Sequence, residues 1–163
     1  MSEIDSLLKS GQESLNLGNP KEALVFYQKI LDQEPTHIEA LVKKGHILGK
    51  LARFEQAIGC YDDVLSQEQE NLLALLNKGL AHHYLGQYDI ALECYDVVLK
   101  IKPQNTTALY NRASSLIKSG KIKEGLEILS QVIKLDSSFK AKARLDVDFT
   151  HIKILNEFKK ITL

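Results

Sequence analysis

The chain has 163 residues, of which 44% are hydrophobic and 26% charged, so it can bury a core; this excludes a disordered tail and fits one domain or one short repeat array. Twenty-one basic residues balance 21 acidic ones, and no basic run supplies the footprint that nucleic acid binding needs. Only Cys60 and Cys94 are present, the N-terminal MSEIDSLLKSGQESLNLG lacks the apolar core of a leader, and no apolar stretch approaches a membrane span, so a cytoplasmic protein is expected.

Taken along the chain, the sequence repeats itself. Small residues recur at a step of 34 as Gly11, Gly45, Gly79 and Ala113, as Gly18, Ala52, Gly86 and Gly120, and as Ala23, Ala57, Ala91 and Gly125. Large residues keep the same step in Leu7, Leu41, Leu75 and Leu109, in Tyr27, Tyr61, Tyr95 and Leu129, and in Ile30, Val64, Val98 and Val132. A fixed period of this length marks a stacked-repeat architecture, here with units Ile4 to His37, Ile38 to Asn71, Leu72 to Asn105 and Thr106 to Phe139.

Each unit reads as two helices. In the first, Gly18 can take the left-handed conformation that stops a helix, and Asn19-Pro20 reads as an N-cap followed by proline at the first helical position. In the second, Gly45 faces Ala57 where the helices cross closely, and Tyr61 fills the space beside them. The third shows the helical spacing most plainly, in Leu75, Gly79, His82 and Leu85 and then in Ala91, Leu92, Tyr95, Val98 and Leu99, with the break at Gly86. Pro35 and Pro103 end the second helices of the first and third units. In the fourth, Gly125 costs a helix interior roughly 1 kcal/mol relative to alanine, so this unit is expected to be the softest. Lys140 to Leu163 reads as a further helix, with Ser137 and Ser138 as N-caps and the stripe Leu145, Phe149, Ile152, Leu155, Phe158 and Ile161 covering the open face of the last unit. Val147, Ile154 and Leu163 fall off that stripe. No segment alternates with a period of two, so the fold is read as all-α.

The step of 34 with Leu41, Gly45, Ala57, Tyr61 and Val64, and with Leu75, Gly79, Tyr88, Ala91, Tyr95 and Pro103, closely resembles the tetratricopeptide repeat. Leucine replaces the bulky aromatic usually found early in the first helix, the first repeat carries Ser10 and Ser14 at usually apolar places, and the fourth departs at Ala113, Gly125 and Leu129. The resemblance implies a right-handed superhelical α-solenoid of four helix pairs plus a C-terminal capping helix. It further implies a concave groove lined by the first helices, a protein or peptide ligand, and neither catalysis nor a cofactor.

By that resemblance the groove presents Leu8, Lys9 and Gln12 from the first repeat, and Val42, Lys43, His46 and Lys50 from the second. The third adds Leu73, Leu76, Asn77, Leu80 and His83, and the fourth Thr107, Tyr110, Asn111, Ser114 and Lys118. Asn77 and Asn111 recur one repeat apart, and an amide that both donates and accepts suits the backbone of an extended peptide. The lysines outweigh Asp5 and Glu39 along this face, which favours an acidic and apolar peptide. The two-carboxylate clamp known in some members of the family requires lysine, asparagine and arginine at five positions. Repeats one to three place Leu8, Gln12, Lys43, Leu73 and Asn77 there, repeats two to four place Val42, His46, Asn77, Thr107 and Asn111, and only Asn77, at the asparagine place of the second alignment, matches.

Other chemistry finds little support. His82 and His83 are adjacent, so on a helix they point about 100° apart and cannot share a metal; His82 falls in the packed stripe and His83 is expected at the surface near the groove with His46. Cys60 and Cys94 occupy equivalent places in neighbouring repeats, and stacked helices lie about 8–10 Å apart, too far for a disulfide, so two thiols are expected. Asp62, Asp63 and Asp96 read as a solvated strip, and no nucleophile beside a base or glycine-rich phosphate loop is present. Asn105-Thr106-Thr107 matches a glycosylation acceptor, which has no role in the cytosol. The sequence thus points to a non-enzymatic scaffold or adaptor holding a partner segment in the groove. The alternative is a scaffold that associates with a second copy of itself through Ile4, Leu7, Phe158, Ile161 and Leu163.

Overall fold

The computed structural model describes residues 2–163, and among these it contains ten α-helices, one 3-10 segment and no strand. The helices are α1 (Glu3–Asn16), α2 (Pro20–Gln33), α3 (Ile38–Lys50), α4 (Phe54–Gln67), α5 (Leu72–Tyr84), α6 (Tyr88–Ile101), α7 (Thr106–Lys118), α8 (Ile122–Leu135), α9 (Phe139–Leu145) and α10 (Asn156–Thr162), with the 3-10 segment Val147–Ile152 between the last two. The all-α reading therefore holds. The chain divides into two compact units, Met1–Ala81 and His82–Leu163, and the division falls inside α5.

Turn chemistry sets the boundaries. Gly18, Gly86 and Gly120 have φ of +78°, +74° and +90°, the left-handed region that ends α1, α5 and α7. Their counterpart Ala52 takes φ +56° without glycine's freedom, which carries backbone strain. The first helices of the second, third and fourth repeats are capped by side chains that recur at the same step of 34. His37 Nδ1 accepts from the Ala40 amide at 3.3 Å, Asn71 Oδ1 from Ala74 at 3.0 Å and Asn105 Oδ1 from Ala108 at 2.9 Å. Asn105 is thus a helix cap. Ahead of α2, Pro20 does stand at the first helical position, but the Asn19 side chain makes no capping bond.

In the first unit the buried core is built from Tyr27, Ile30, Leu41, Ile47, Tyr61 and Val64, with α1 against α2 and α3 against α4. Glycine is required where the paired helices meet. A Cβ on Gly11 would stand 2.8 Å from the Tyr27 ring, and one on Gly45 would stand 2.7 Å from the Tyr61 ring, so the tyrosine is the neighbour that presses on each glycine.

The second unit packs α7 against α8 around Leu109, Ala113, Ile117, Leu129 and Val132. Here the small residues are inverted, with alanine on the first helix at 113 and glycine on the second at 125. A Cβ on Gly125 would meet Ile117 Cγ1 at 2.5 Å and the Ala113 carbonyl oxygen at 2.9 Å. Gly125 therefore permits a close approach, which explains why a residue of low helix propensity stands there.

Polar pairs tie each second helix to the next first helix. Lys44 Nζ donates to Gln28 Oε1 at 2.8 Å, Lys78 Nζ lies 2.6 Å from Asp62 Oδ1, and Arg112 Nε lies 2.8 Å from Asp96 Oδ1. Asp62 and Asp96 are paired, which corrects their reading as a merely solvated strip, although both remain more than half exposed.

The C-terminal residues differ most from expectation. They do not form one helix: α9 stops at Asp146, whose backbone is extended and whose side chain accepts from the Asp148 amide at 3.0 Å to start the 3-10 segment. A short acidic side chain competes for backbone amides in this way, and it cuts the apolar stripe. Leu145 is accordingly 82% exposed, while Phe149, Ile152 and Phe158 are buried. Neither predicted cap acts, since the Ser138 side chain makes no capping bond and its amide donates to Asp136 Oδ1.

Candidate functional site: the face of α7

The fourth repeat's first helix begins at the Asn105 cap, and its turns place Tyr110 and Ser114 on one side. Both were expected to line an open groove. Instead they are 2% and 4% exposed, because the 3-10 segment lies against α7 at this place. His83, at the end of α5, is likewise 4% exposed, which corrects its reading as a surface histidine.

The contacts are specific. The Tyr110 hydroxyl donates to Asp146 Oδ2 at 2.6 Å, and the Ser114 hydroxyl donates to Asp148 Oδ2 at 2.8 Å. His83 Nε2 lies 3.0 Å from the same Asp148 oxygen, and His83 Nδ1 lies 2.8 Å from Ser115 Oγ. A carboxylate only accepts, so Nε2 carries the proton, and in the neutral ring Nδ1 then accepts from the Ser115 hydroxyl. The His83 hydrogen bond holds the Asp148 carboxyl below its usual range, outweighing the opposite effect of burial, with Ser114 and the charge of Lys118 adding to it. Burial, with the Asp146 carboxylate beside it, pushes the Tyr110 phenol far up.

Beside these polar contacts the aromatic rings close ranks. Phe149 is fully buried, with its ring centroid 5.7 Å from Tyr110 and 5.9 Å from Phe158. Phe139 sits 5.1 Å from Tyr110, and the Lys142 ammonium lies 4.1 Å over the Tyr110 ring. His83 packs edge-on against Tyr84 and Tyr88, each at 5.4 Å. The aspartates and Ser115 were not among the sequence-predicted residues. Their signal was legible, since Asp-Val-Asp at 146 to 148 breaks a helical stripe with N-cap chemistry.

The remaining predicted groove residues lie elsewhere. In the first unit, Leu73 is 53% exposed, His46 is exposed, and Val42, Lys43, Leu76, Asn77 and Leu80 are half-buried. Lys43 Nζ donates to Gln12 Oε1 at 2.8 Å. Although its surface is largely open, partial desolvation by its neighbours, and then the charges of Lys50 and Lys43, lower the pKa of His46. In the second unit Asn111 is half-buried. A concavity of about 680 Å³ in the first unit opens elsewhere, bordered by Leu24 and Gln28 of α2 and by Cys60 and Asp63 of α4.

The residues named for self-association are mostly engaged within their own units. Phe158 is 2% exposed, Ile161 packs on the second core, and Ile4 and Leu7 pack on the first; Leu163 remains 79% exposed. His82 is buried and its Nδ1 lies 2.6 Å from Gln87 Oε1. Cys60 and Cys94 are buried thiols, and burial raises the pKa of Cys60. Among the described residues no cluster of histidine, cysteine and acidic side chains could hold a metal, and no helix is long and apolar enough to cross a membrane.

Comparison with known proteins agrees with this architecture. Residues 50–132 match the family model described as anaphase-promoting complex, cyclosome, subunit 3, whose repeats are of the same type, and residues 15–79 match the tetratricopeptide repeat model. No curated protein matches the sequence. Among solved structures, MamA 41-end from Desulfovibrio magneticus RS-1 is 21% identical with a TM-score of 0.82, covering 99% of this chain and 90% of that one. A MamA RS-1 double mutant is 22% identical with a TM-score of 0.81, covering 99% and 96%. TTC0263, a thermophilic repeat protein of Thermus thermophilus, is 16% identical with a TM-score of 0.78, covering 97% and 87%. At these identities the structural likeness establishes the fold, and with the matched family models it shows that the chain belongs to the tetratricopeptide repeat family.

Proposed function

We propose that this protein is a non-enzymatic interaction scaffold of the cytoplasm that holds an acidic and apolar segment of a partner protein on the inward face of its first helices. The observation that carries this reading is the face of α7 beside the end of α5, where Tyr110 and Ser114 of α7 and His83 of α5 hold a protein segment by its two carboxylates while Phe149 enters the core. A helix face that takes a segment of its own chain has the chemistry to take one from another. Family membership supports the same class, since these repeats generally serve as protein-binding modules.

In the first unit the corresponding face has Leu73 exposed, Val42, Leu76 and Leu80 half-buried for apolar contact, and Lys43 and Asn77 for polar contact. The amides of Asn77 and Asn111 are assigned to the ligand backbone. The test is capture of partners by wild type beside an Asn77→Ala, Asn111→Ala variant whose helicity is unchanged by circular dichroism. Loss of a partner from the variant alone supports the reading. Equal retention by both proteins sinks it and moves the binding surface away from the first helices.

A further inference from the structure

We infer that Tyr110, Ser114 and His83 form a receptor for segments of the pattern Asp-x-Asp-Phe, occupied in this structure by the chain's own Asp146 to Phe149, and that a partner segment of the same pattern replaces it. The inference deepens the proposed function and rests on it, because it names the partner chemistry that this face selects.

Three observations point this way. First, covering the end of a repeat array requires only apolar burial, and Phe158 of α10 already supplies such contact to the second core. The 3-10 segment instead brings two carboxylates to polar side chains that are themselves almost fully buried, an arrangement that costs free energy unless every group is matched. Polar groups placed so strictly act as a selector: Asp146 reads the Tyr110 hydroxyl, Asp148 reads Ser114 and His83, and Phe149 fills the aromatic slot.

Second, the receptor is prepared independently of its occupant. Tyr110 and Ser114 lie on α7, His83 lies on α5, and Ser115 of α7 holds the His83 ring in place through Nδ1 at 2.8 Å. Third, the occupant is a short segment, anchored by Phe149 and Ile152 in the second core but with little regular structure of its own. It is six residues of 3-10 helix, a geometry with poorer hydrogen bonds, and it is flanked by Leu145 and Ile154, which are 82% and 77% exposed. A short segment with solvated flanks opens without unfolding the helix pair beneath it.

The experiment uses the full chain and a fluorescent peptide of residues 144–152, Arg-Leu-Asp-Val-Asp-Phe-Thr-His-Ile, with a control peptide carrying asparagine for both aspartates. Anisotropy titrations compare wild type with Asp148→Asn, which weakens the resident segment and leaves the receptor intact. Apparent affinity scales with the fraction of molecules whose site is open, so the variant is expected to bind the acidic peptide at least about tenfold more tightly than wild type does. Ser114→Ala in the same background, or the asparagine peptide, is expected to remove most of that gain. Should Asp148→Asn lose its helical circular dichroism, Asp146→Asn serves as the milder release variant and the same comparison decides. Equal binding by wild type and the folded variants, equal binding of the two peptides, or dimerisation of the variant without peptide binding overturns the inference. If the peptide result fails while the Asn77→Ala, Asn111→Ala variant still loses its partner, the interaction scaffold stands and the 3-10 segment is only a cap.

Discussion

A methyl group at position 125 would stand 2.5 Å from Ile117 and 2.9 Å from the Ala113 carbonyl, so the helix that looks weakened by glycine is the one that needs it. Gly125→Ala gains about 1 kcal/mol of helix propensity but forces α7 and α8 apart, for which overpacking typically costs about 1–3 kcal/mol. A lower denaturation midpoint is expected, and a higher one would show that Ile117 moves aside freely. Ala52 presents the opposite case. It is exposed, at φ +56°, where Gly18, Gly86 and Gly120 supply the equivalent turn in the other repeats. Ala52→Gly is expected to raise stability by about 0.5–1 kcal/mol, read as a rise in melting temperature, because relief of the left-handed strain exceeds the added entropy of the unfolded chain. Both residues stand in the columns of step 34. The column alone identifies Ala52 as a departure, but only the neighbours of Gly125 show that its swap with Ala113 is compensated.

At the scale of elements, the eight repeat helices follow from local chemistry, while the C-terminal segment depends on what it touches. Its pH response follows from Asp148. The carboxyl is held below its ordinary pKa by His83 and Ser114, so its contribution is present above the unfolded value of about 3.9 and is lost as pH falls through the lower folded value. Stability is therefore expected to decline below about pH 4, with amides of residues 147–152 losing hydrogen-exchange protection before those of α7 and α8. Asp148→Asn should remove about 2 kcal/mol at neutral pH, the scale of a charge-assisted hydrogen bond, and should flatten that acid response. An unchanged acid profile in the variant would assign the response to another carboxylate. The caps at His37, Asn71 and Asn105 belong to this scale too; they were readable from the sequence as a polar residue three positions before the Ala40, Ala74 and Ala108 amides.

For the whole molecule, zero net charge leaves no overall self-repulsion for salt to screen, and the ties from Asp62 to Lys78 and from Asp96 to Arg112 are more than half exposed on the acidic side. Such pairs are worth at most about 1 kcal/mol each, so raising salt at pH 7 is expected to change the unfolding free energy by less than about 1–2 kcal/mol. A larger loss would mean that these ties act as a network. What the sequence by itself determined is the part governed by short-range rules: a period of 34, helix ends at left-handed residues, buried columns of leucine, tyrosine and valine, and from these the family. Each of those signals is written within one helix pair, so no distant partner is needed to read it. The tertiary structure alone decided which of the residues expected to line a groove are exposed and which are buried under the C-terminal segment. Tyr110 and Asp146 are 36 positions apart, as Ser114 and Asp148 are 34 and His83 and Asp148 are 65, and no local pattern encodes a hydrogen bond across such a span. Their pairing depends on the 3-10 turn that Asp146 starts as its cap, which places the carboxylates against α7 and buries Tyr110 and Ser114, both expected to be open.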